Sequence, residues 1–237
     1  MIQLTNAGVA GSADVDALAH EFDKRHTFLL SQLLAPQLVH EISSRLERCA
    51  WTTDADGTIA REASPTDPAA TQILNFAANT AEFLDVVRRI TGVAAITRFG
   101  GRVYRMVPGA DHFDSWHADL GGADRNRLVG MSINLGGAYD GGLFRLRDET
   151  TGEIVREISN TGRGDALFFR ISERLKHMVT AVRGTAPKTA FAGWFHAADV
   201  DFYSALRLEA AAPVSRNRPS TTRPKKSSNA RTLRVSE

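Results

Sequence analysis

His117 and Asp119 stand two residues apart, so an extended strand turns both side chains to one face. A second imidazole brought in from a distant strand, at His177, completes a set of two nitrogens and one carboxylate. Such a set covers one triangular face of an octahedral ion and leaves the opposite face open, the arrangement that suits a non-haem Fe(II) centre. His-x-Asp alone is a weak signal, because such triplets arise by chance. A rival pair, His112 with Asp114, has the same spacing a few residues earlier. Lys188 adds a second kind of chemistry. It opens a run that is otherwise small, apolar and aromatic, Thr189 to Phe195. A cation there needs an anion or a path to water. One reading has it bind the far carboxylate of an organic acid whose other end chelates the metal, since an ammonium is a compact point charge matched to one carboxylate. The other reading is a solvated charge that protects an exposed strand edge.

The elements that must position these residues follow two grammars. Before Gly92 the pattern is mainly helical. The first fifteen residues are small and polar and are read as loose, Asp16 to Arg25 as a short amphipathic helix, and His26 to Leu30 as a buried strand. Pro36 suits the first turn of a helix, with Leu38, Val39, Ile42, Leu46 and Cys49 on one stripe. Trp51 to Ile59 reads as a strand with a turn at Asp56-Gly57. Ser64 to Pro68 reads as a loop in which Asp67 caps the next helix. Ile73, Phe76, Ala77, Phe83, Leu84, Val87 and Ile90 then keep helical spacing to a stop at Gly92.

After Gly92, short runs rich in Val, Ile, Phe and Tyr alternate with glycine turns. They are 95–99, 102–107, 128–135, 142–146, 153–158, 166–169, 177–182 and 189–195. Eight such runs argue an antiparallel sandwich or jelly roll. In that fold strands distant in sequence face one another across the barrel mouth, so His177 can meet the earlier pair. The expected organisation is a helical and strand support over 1–94, a catalytic core over 95–198, a closing helix over 199–212 and a basic, disordered tail over 213–237.

Composition narrows the classes. The chain has 237 residues, 43% hydrophobic and 24% charged, which fits one globular domain with a real core. Cys49 is the only cysteine, which excludes an intramolecular disulfide and a cysteine-built zinc site. Met1 to Asn6 lacks the basic start and apolar run of a signal peptide, and no run is long enough to cross a bilayer. The expectation is cytoplasmic, with no membrane partner. Net charge is +2, but the tail after Pro213 carries seven basic residues against Glu237, leaving −4 on the rest. A basic arm can touch nucleic acid non-specifically. This one lacks interleaved aromatics, so it is read as a solvated terminus and nucleic acid is not expected as a partner.

The ordered pieces of 102–195 resemble the Fe(II)/2-oxoglutarate-dependent dioxygenases, closest in pattern to the prolyl-4-hydroxylase-like branch. They are Tyr104 to Gly109, His117-Ala118-Asp119, Ser132 to Leu135, Gly141-Gly142 with Phe144, Gly164 to Phe169, His177 with Val182, and Lys188 six residues before Trp194. The resemblance implies a mainly β fold with N-terminal helices, a cupin-like double-stranded β-helix. It implies His117, Asp119 and His177 as iron ligands, the later pair in preference to His112 and Asp114, and Lys188 as the clamp on 2-oxoglutarate. Tyr104 is a weaker candidate for the same carboxylate and Asn134 a candidate lining residue. Relatives with an Arg-x-Ser pair carry a serine where Ala190 stands, so a second hydroxyl must come from Tyr104 or Thr189.

The implied cosubstrates are 2-oxoglutarate and O2, with Fe(II) as cofactor. The implied reaction hydroxylates an unactivated C–H of an amino acid, a peptidyl or carrier-bound residue, or a small metabolite, releasing succinate and CO2. Asp119 disfavours halogenation, whose agents in this family have a small residue there. The competing reading is a non-catalytic cupin-like module that senses a metal and an organic acid. Trp116 and Trp194 are read as packing, Arg145 and Arg147 as an outer charged face, and His20, His26, His40 and His196 as surface or capping residues.

Overall fold

The computed structural model describes residues 1–53, 59–120 and 126–197. The chain opens with β1 (Gln3–Thr5), β2 (Gly8–Ala10), α1 (Val15–Arg25), β3 (Thr27–Leu30) and α2 (Pro36–Glu47). Then come β4 (Trp51–Thr53), β5 (Ala60–Arg61), β6 (Ala63–Pro65), α3 (Ala69–Ala78) and α4 (Ala81–Thr91). The remaining strands are β7 (Ile96–Met106), β8 (Phe113–His117), β9 (Arg127–Asn134), β10 (Asp140–Gly141), β11 (Phe144–Asp148) and β12 (Ile154–Ile158). After them lie β13 (Ala166–Arg170), β14 (Leu175–Val179), β15 (Val182–Arg183) and β16 (Lys188–Ala197). Among the described residues no helix is long and apolar enough to cross a membrane.

Two antiparallel sheets make the jelly roll. The larger runs β3-β13-β9-β16-β7-β6-β4, the smaller β12-β11-β14-β8-β5. Strand β16 is the spine of the larger sheet, paired along its length with β7 and β9. Its alternation decides what each face does. Phe191 and Phe195 point to the helical side and are fully buried with Phe99, Val103, Ile133 and the helix residues Leu74, Phe83 and Val87. Lys188, Ala190, Ala192 and Trp194 take the other face and line a cavity between the sheets. Small side chains across that face, with Ser132 of β9 beside Ala192, leave the space unfilled.

Helix α3 completes the larger sheet in an unusual way. Thr71, Asn75 and Asn79 recur every four residues on one stripe of it. The Asn75 carboxamide donates to the Gly101 carbonyl (2.8 Å) and accepts from the Gly101 amide (2.9 Å). Asn79 does the same with Phe99 at 2.9 and 2.8 Å, and the Thr71 hydroxyl accepts from the Val103 amide at 3.2 Å. Four helical residues rise about 6 Å and two strand residues about 6.7 Å, so the two repeats nearly coincide. The helix takes the place of a neighbouring strand where β6 reaches β7 only at Arg105.

Several expectations change. The first residues are ordered, not loose: β1 and β2 form a hairpin, Ile2 and Leu4 are buried, and the Leu4 amide donates to Leu33. The helical stripe to Gly92 is two helices, because Asn79 turns to β7 and Thr80 is extended; Phe76, expected inside, is 81% exposed. Gly92 does end α4, in the left-handed region. Ala63–Pro65 pairs with β4 where a loop was expected, and Pro68, not Asp67, is the N-cap of α3, although the Asp67 carboxylate accepts from the Ala69 amide. The runs 95–99 and 102–107 are one strand, β7, passing through Gly100-Gly101. The expected turn at Asp56-Gly57, the closing helix 199–212 and the tail 213–237 lie outside the described residues.

Candidate metal centre and cosubstrate pocket

Strands β8 and β14 are neighbours, and His117 stands directly opposite His177. The two imidazoles therefore meet side by side on one sheet, with ring centroids 4.2 Å apart, not across the barrel mouth as expected. The ladder is irregular here: His177 pairs with His117, but Val179 pairs with Asp114. Three residues of β8 are thus spanned by two of β14, which is a bulge, and it turns Asp114 to the same side as His117. Trp116 goes to the other face, beneath the Arg147 guanidinium. Asp119 lies just beyond the end of β8 and is buried. Its two oxygens lie 3.5 Å from His117 Nε2 and 3.5 Å from His177 Nε2.

Two residues that sequence reasoning had not assigned to the site hold Asp119. Trp194 Nε1 donates to Asp119 Oδ2 at 2.6 Å. The Arg127 guanidinium stacks on the Trp194 ring at 3.7 Å and reaches Asp119 Oδ1 at 3.6 Å. Trp194 is an even number of residues from Lys188 on one strand, so its position on the cavity face was open to a parity argument. Arg127 offered no comparable signal.

Charge in this cluster is unevenly shared. Burial works against a charged His117, but hydrogen bonds to Asp119 and to the Ser115 carbonyl, with the charges of Asp114 and Asp119, raise it to about 9. Burial pushes His177 down to about 4. Asp119 is held below the usual carboxylate range despite its burial, through His117, His177 and Trp194. Burial raises Asp114 to about 6. Cationic character thus gathers on His117, where a metal ion would supply it instead.

The donor set fits such an ion. Two imidazole nitrogens and a carboxylate oxygen lie within 4.8 Å of one another, and the two nitrogen–oxygen distances of 3.5 Å are near the roughly 3 Å that bonds of about 2.1 Å to one centre set between adjacent ligands. His117 Nδ1 is engaged by the Ser115 carbonyl at 2.7 Å, which leaves Nε2 free to ligate. The side facing away from the sheet opens into the cavity. His112 is not in the cluster. Its Nδ1 accepts from the Val107 amide at 2.9 Å, tying down the turn before β8.

Lys188 reaches the same cavity from β16 and is 6% exposed. Among the described residues its ammonium donates only to the Gly142 carbonyl, at 3.3 Å. Burial lowers its pKa to about 8, against the opposing pull of Asp114 and Glu62. Gly142 must be glycine-like here: its φ is +59°, and a Cβ would come within 2.8 Å of the Tyr139 ring and 3.3 Å of Lys188. Tyr104 lines the cavity, and burial raises its phenol. Asn134 lines it too, although its amide donates to the Thr161 carbonyl at 2.6 Å and accepts from Gly136 at 3.1 Å. Thr189 faces away and accepts from Arg105 Nε at 3.0 Å. Arg145 and Arg147 pair with Glu157 and Glu149, and His196, read as a surface residue, is buried.

Residues 101–196 match the family model for the 2OG-Fe(II) oxygenase superfamily. Among curated proteins no sequence matches the chain. The fold is similar to an oxidoreductase of the 2OG-Fe(II) oxygenase family from Burkholderia pseudomallei, at 18% identity and a TM-score of 0.59, over 79% of this chain and 92% of that one. It is similar to a Pseudomonas putida prolyl-4-hydroxylase at 17% identity and a TM-score of 0.58, over 78% and 100%. HygX from Streptomyces hygroscopicus, solved with nickel, 2-oxoglutarate and hygromycin B bound, is similar at 17% identity and a TM-score of 0.55, over 76% and 86%. Sequence match and jelly roll agree: residues 101–196 are similar to the 2OG-Fe(II) oxygenase superfamily, a family that uses Fe(II), 2-oxoglutarate and O2.

Proposed function

We propose that the chain is an Fe(II)- and 2-oxoglutarate-dependent hydroxylase of an unactivated C–H bond. The bond lies in an amino acid, a peptidyl or carrier-bound residue, or a small metabolite. In this reading His117, Asp119 and His177 hold the iron, Lys188 pairs with the distal carboxylate of 2-oxoglutarate, and Tyr104 offers that carboxylate a hydroxyl. The observation that carries it is one cavity with three converging donors on a wall and a buried ammonium reaching in from the facing sheet. When bound, iron and O2 oxidise 2-oxoglutarate to succinate and CO2 and place one oxygen atom in the substrate C–H bond.

The chain's own part is orientation and exclusion of water. Trp194 and Arg127 fix Asp119, so that it presents a constant face to the ion. Phe144, Leu167, Phe169 and Val179 make the wall beside His177 apolar, which strengthens every charge contact inside. The substrate classes follow the similar proteins, a prolyl-4-hydroxylase and a protein solved with hygromycin B.

Anaerobic addition of Fe(II) and 2-oxoglutarate should give a weak visible charge-transfer band, and aerobic turnover should release succinate only with iron present. His177→Ala should abolish both. A band and turnover that survive the substitution would remove His177 from the site, and a wild-type protein giving neither would sink the reading.

A further inference from the structure

We propose that Asp114 is a positioning residue of the metal centre, standing behind His117 and lending that ligand its negative charge. This rests on the reading of His117 as an iron ligand. Spacing alone argues against any contact, because residues three apart on a regular strand point to opposite faces and lie roughly 10 Å apart. The bulge in β8 reverses this. It brings Asp114 Oδ1 to 3.3 Å from His117 Nδ1. That oxygen is buried and makes no hydrogen bond, and among the described residues His117 is the only side chain with which Asp114 forms an ion pair.

Burying a carboxylate oxygen with so little compensation is costly. The cost is intelligible if the partner is a ligand that needs it. A metal-bound imidazole carries a share of the ion's charge, and a carboxylate beside its far nitrogen stabilises that charge and restrains the ring. The Ser115 carbonyl, 2.7 Å from Nδ1, selects the tautomer; Asp114 adds a full charge behind it. Among the described residues His177 has nothing equivalent. Its ring is backed by Phe169 and Phe144, with centroids 4.6 and 5.8 Å away. The two imidazoles are therefore unequal, one backed by charge and one by hydrocarbon. A charge behind His117 favours the higher charge on the ion, so it tightens divalent binding and lowers the Fe(III)/Fe(II) potential.

The test compares the full chain with Asp114→Asn, which keeps the shape and removes the charge. Co(II) is titrated by calorimetry and by its visible absorption, and the iron potential is measured by spectroelectrochemistry. Asp114→Asn should weaken Co(II) by about 10- to 100-fold and move the iron potential positive, with the melting temperature of the metal-free protein unchanged or higher. Asp114→Glu should recover part of the affinity. If the asparagine variant fails to fold, Asp114→Ser carries the same comparison. Wild-type affinity and potential in the neutral variant would overturn the inference, leaving Asp114 as a contact for the substrate. Failure of the underlying reading looks different: His117→Ala would then bind Co(II) as tightly as wild type.

Discussion

Lys188 is held where a lysine is least comfortable, buried on its strand with one carbonyl as its hydrogen-bond partner among the described residues. A dicarboxylate that brings its own anion relieves that position. Removing one member of a buried charge pair costs several kcal/mol, because the other is left desolvated. At about 1.4 kcal/mol per decade, Lys188→Ala should weaken 2-oxoglutarate by roughly two decades or more while changing Fe(II) affinity much less. The pH dependence has a definite sign. The free protein's ammonium is charged below about 8 and loses its proton above it. Affinity for 2-oxoglutarate should thus be flat below pH 8 and fall above it, until the pKa of the bound state is passed. Titrations of both ligands across pH check this, and a wild-type Kd in the alanine variant would make Lys188 a bystander. Lys188, His117, Asp119 and His177 were visible in the sequence because their chemistry is rare in its local setting. Arg127 was not, and Asp114 stood out only as a rival ligand beside His112, since the place of each depends on a tertiary contact: a stack on Trp194 and a bulge opposite Val179.

At the scale of elements, β16 and β7 approach closely around glycine. A Cβ on Gly193 would fall 2.1 Å from the Gly100 carbonyl oxygen, a backbone atom with nowhere to go. Gly193→Ala should therefore part β16 from β7 and cost about 1–3 kcal/mol, the usual range for overpacking. Chemical denaturation reads this directly, and an unchanged midpoint would mean that the ladder yields without strain. The same glycines explain what the sequence concealed. Gly100-Gly101 looks like a turn between two strands, yet it lets one strand pass close to Ala192. Strand β8 left no alternation to read, because its bulge breaks the period of two on which such a reading depends. The jelly roll was legible from runs and turns after Gly92; the hairpin at the N-terminus was not, being too short and polar to show a pattern.

For the whole molecule, ligands that bind only the folded state stabilise it by mass action. With Fe(II) and 2-oxoglutarate at 100 times their Kd, each adds about 2.7 kcal/mol. The melting temperature should rise with both, fall back on adding a chelator, and respond to 2-oxoglutarate only weakly in Lys188→Ala. Calorimetric scans with each ligand alone and together check this; a melting temperature indifferent to chelator would argue against a resident metal.

Helix α3 bears on how this molecule comes together in time. Its asparagines lie only 20 and 26 residues from the strand groups that they satisfy. The partner on the other side of β7 is far later in the chain, where Gly101 pairs with Gly193. Closing the shorter loop costs less entropy, and local contacts form sooner. On a growing chain, α3 and β7 are both made before β16 exists. One side of β7 is therefore already occupied while the other waits, so the nascent sheet is left open in a single direction, the one from which its proper partner arrives.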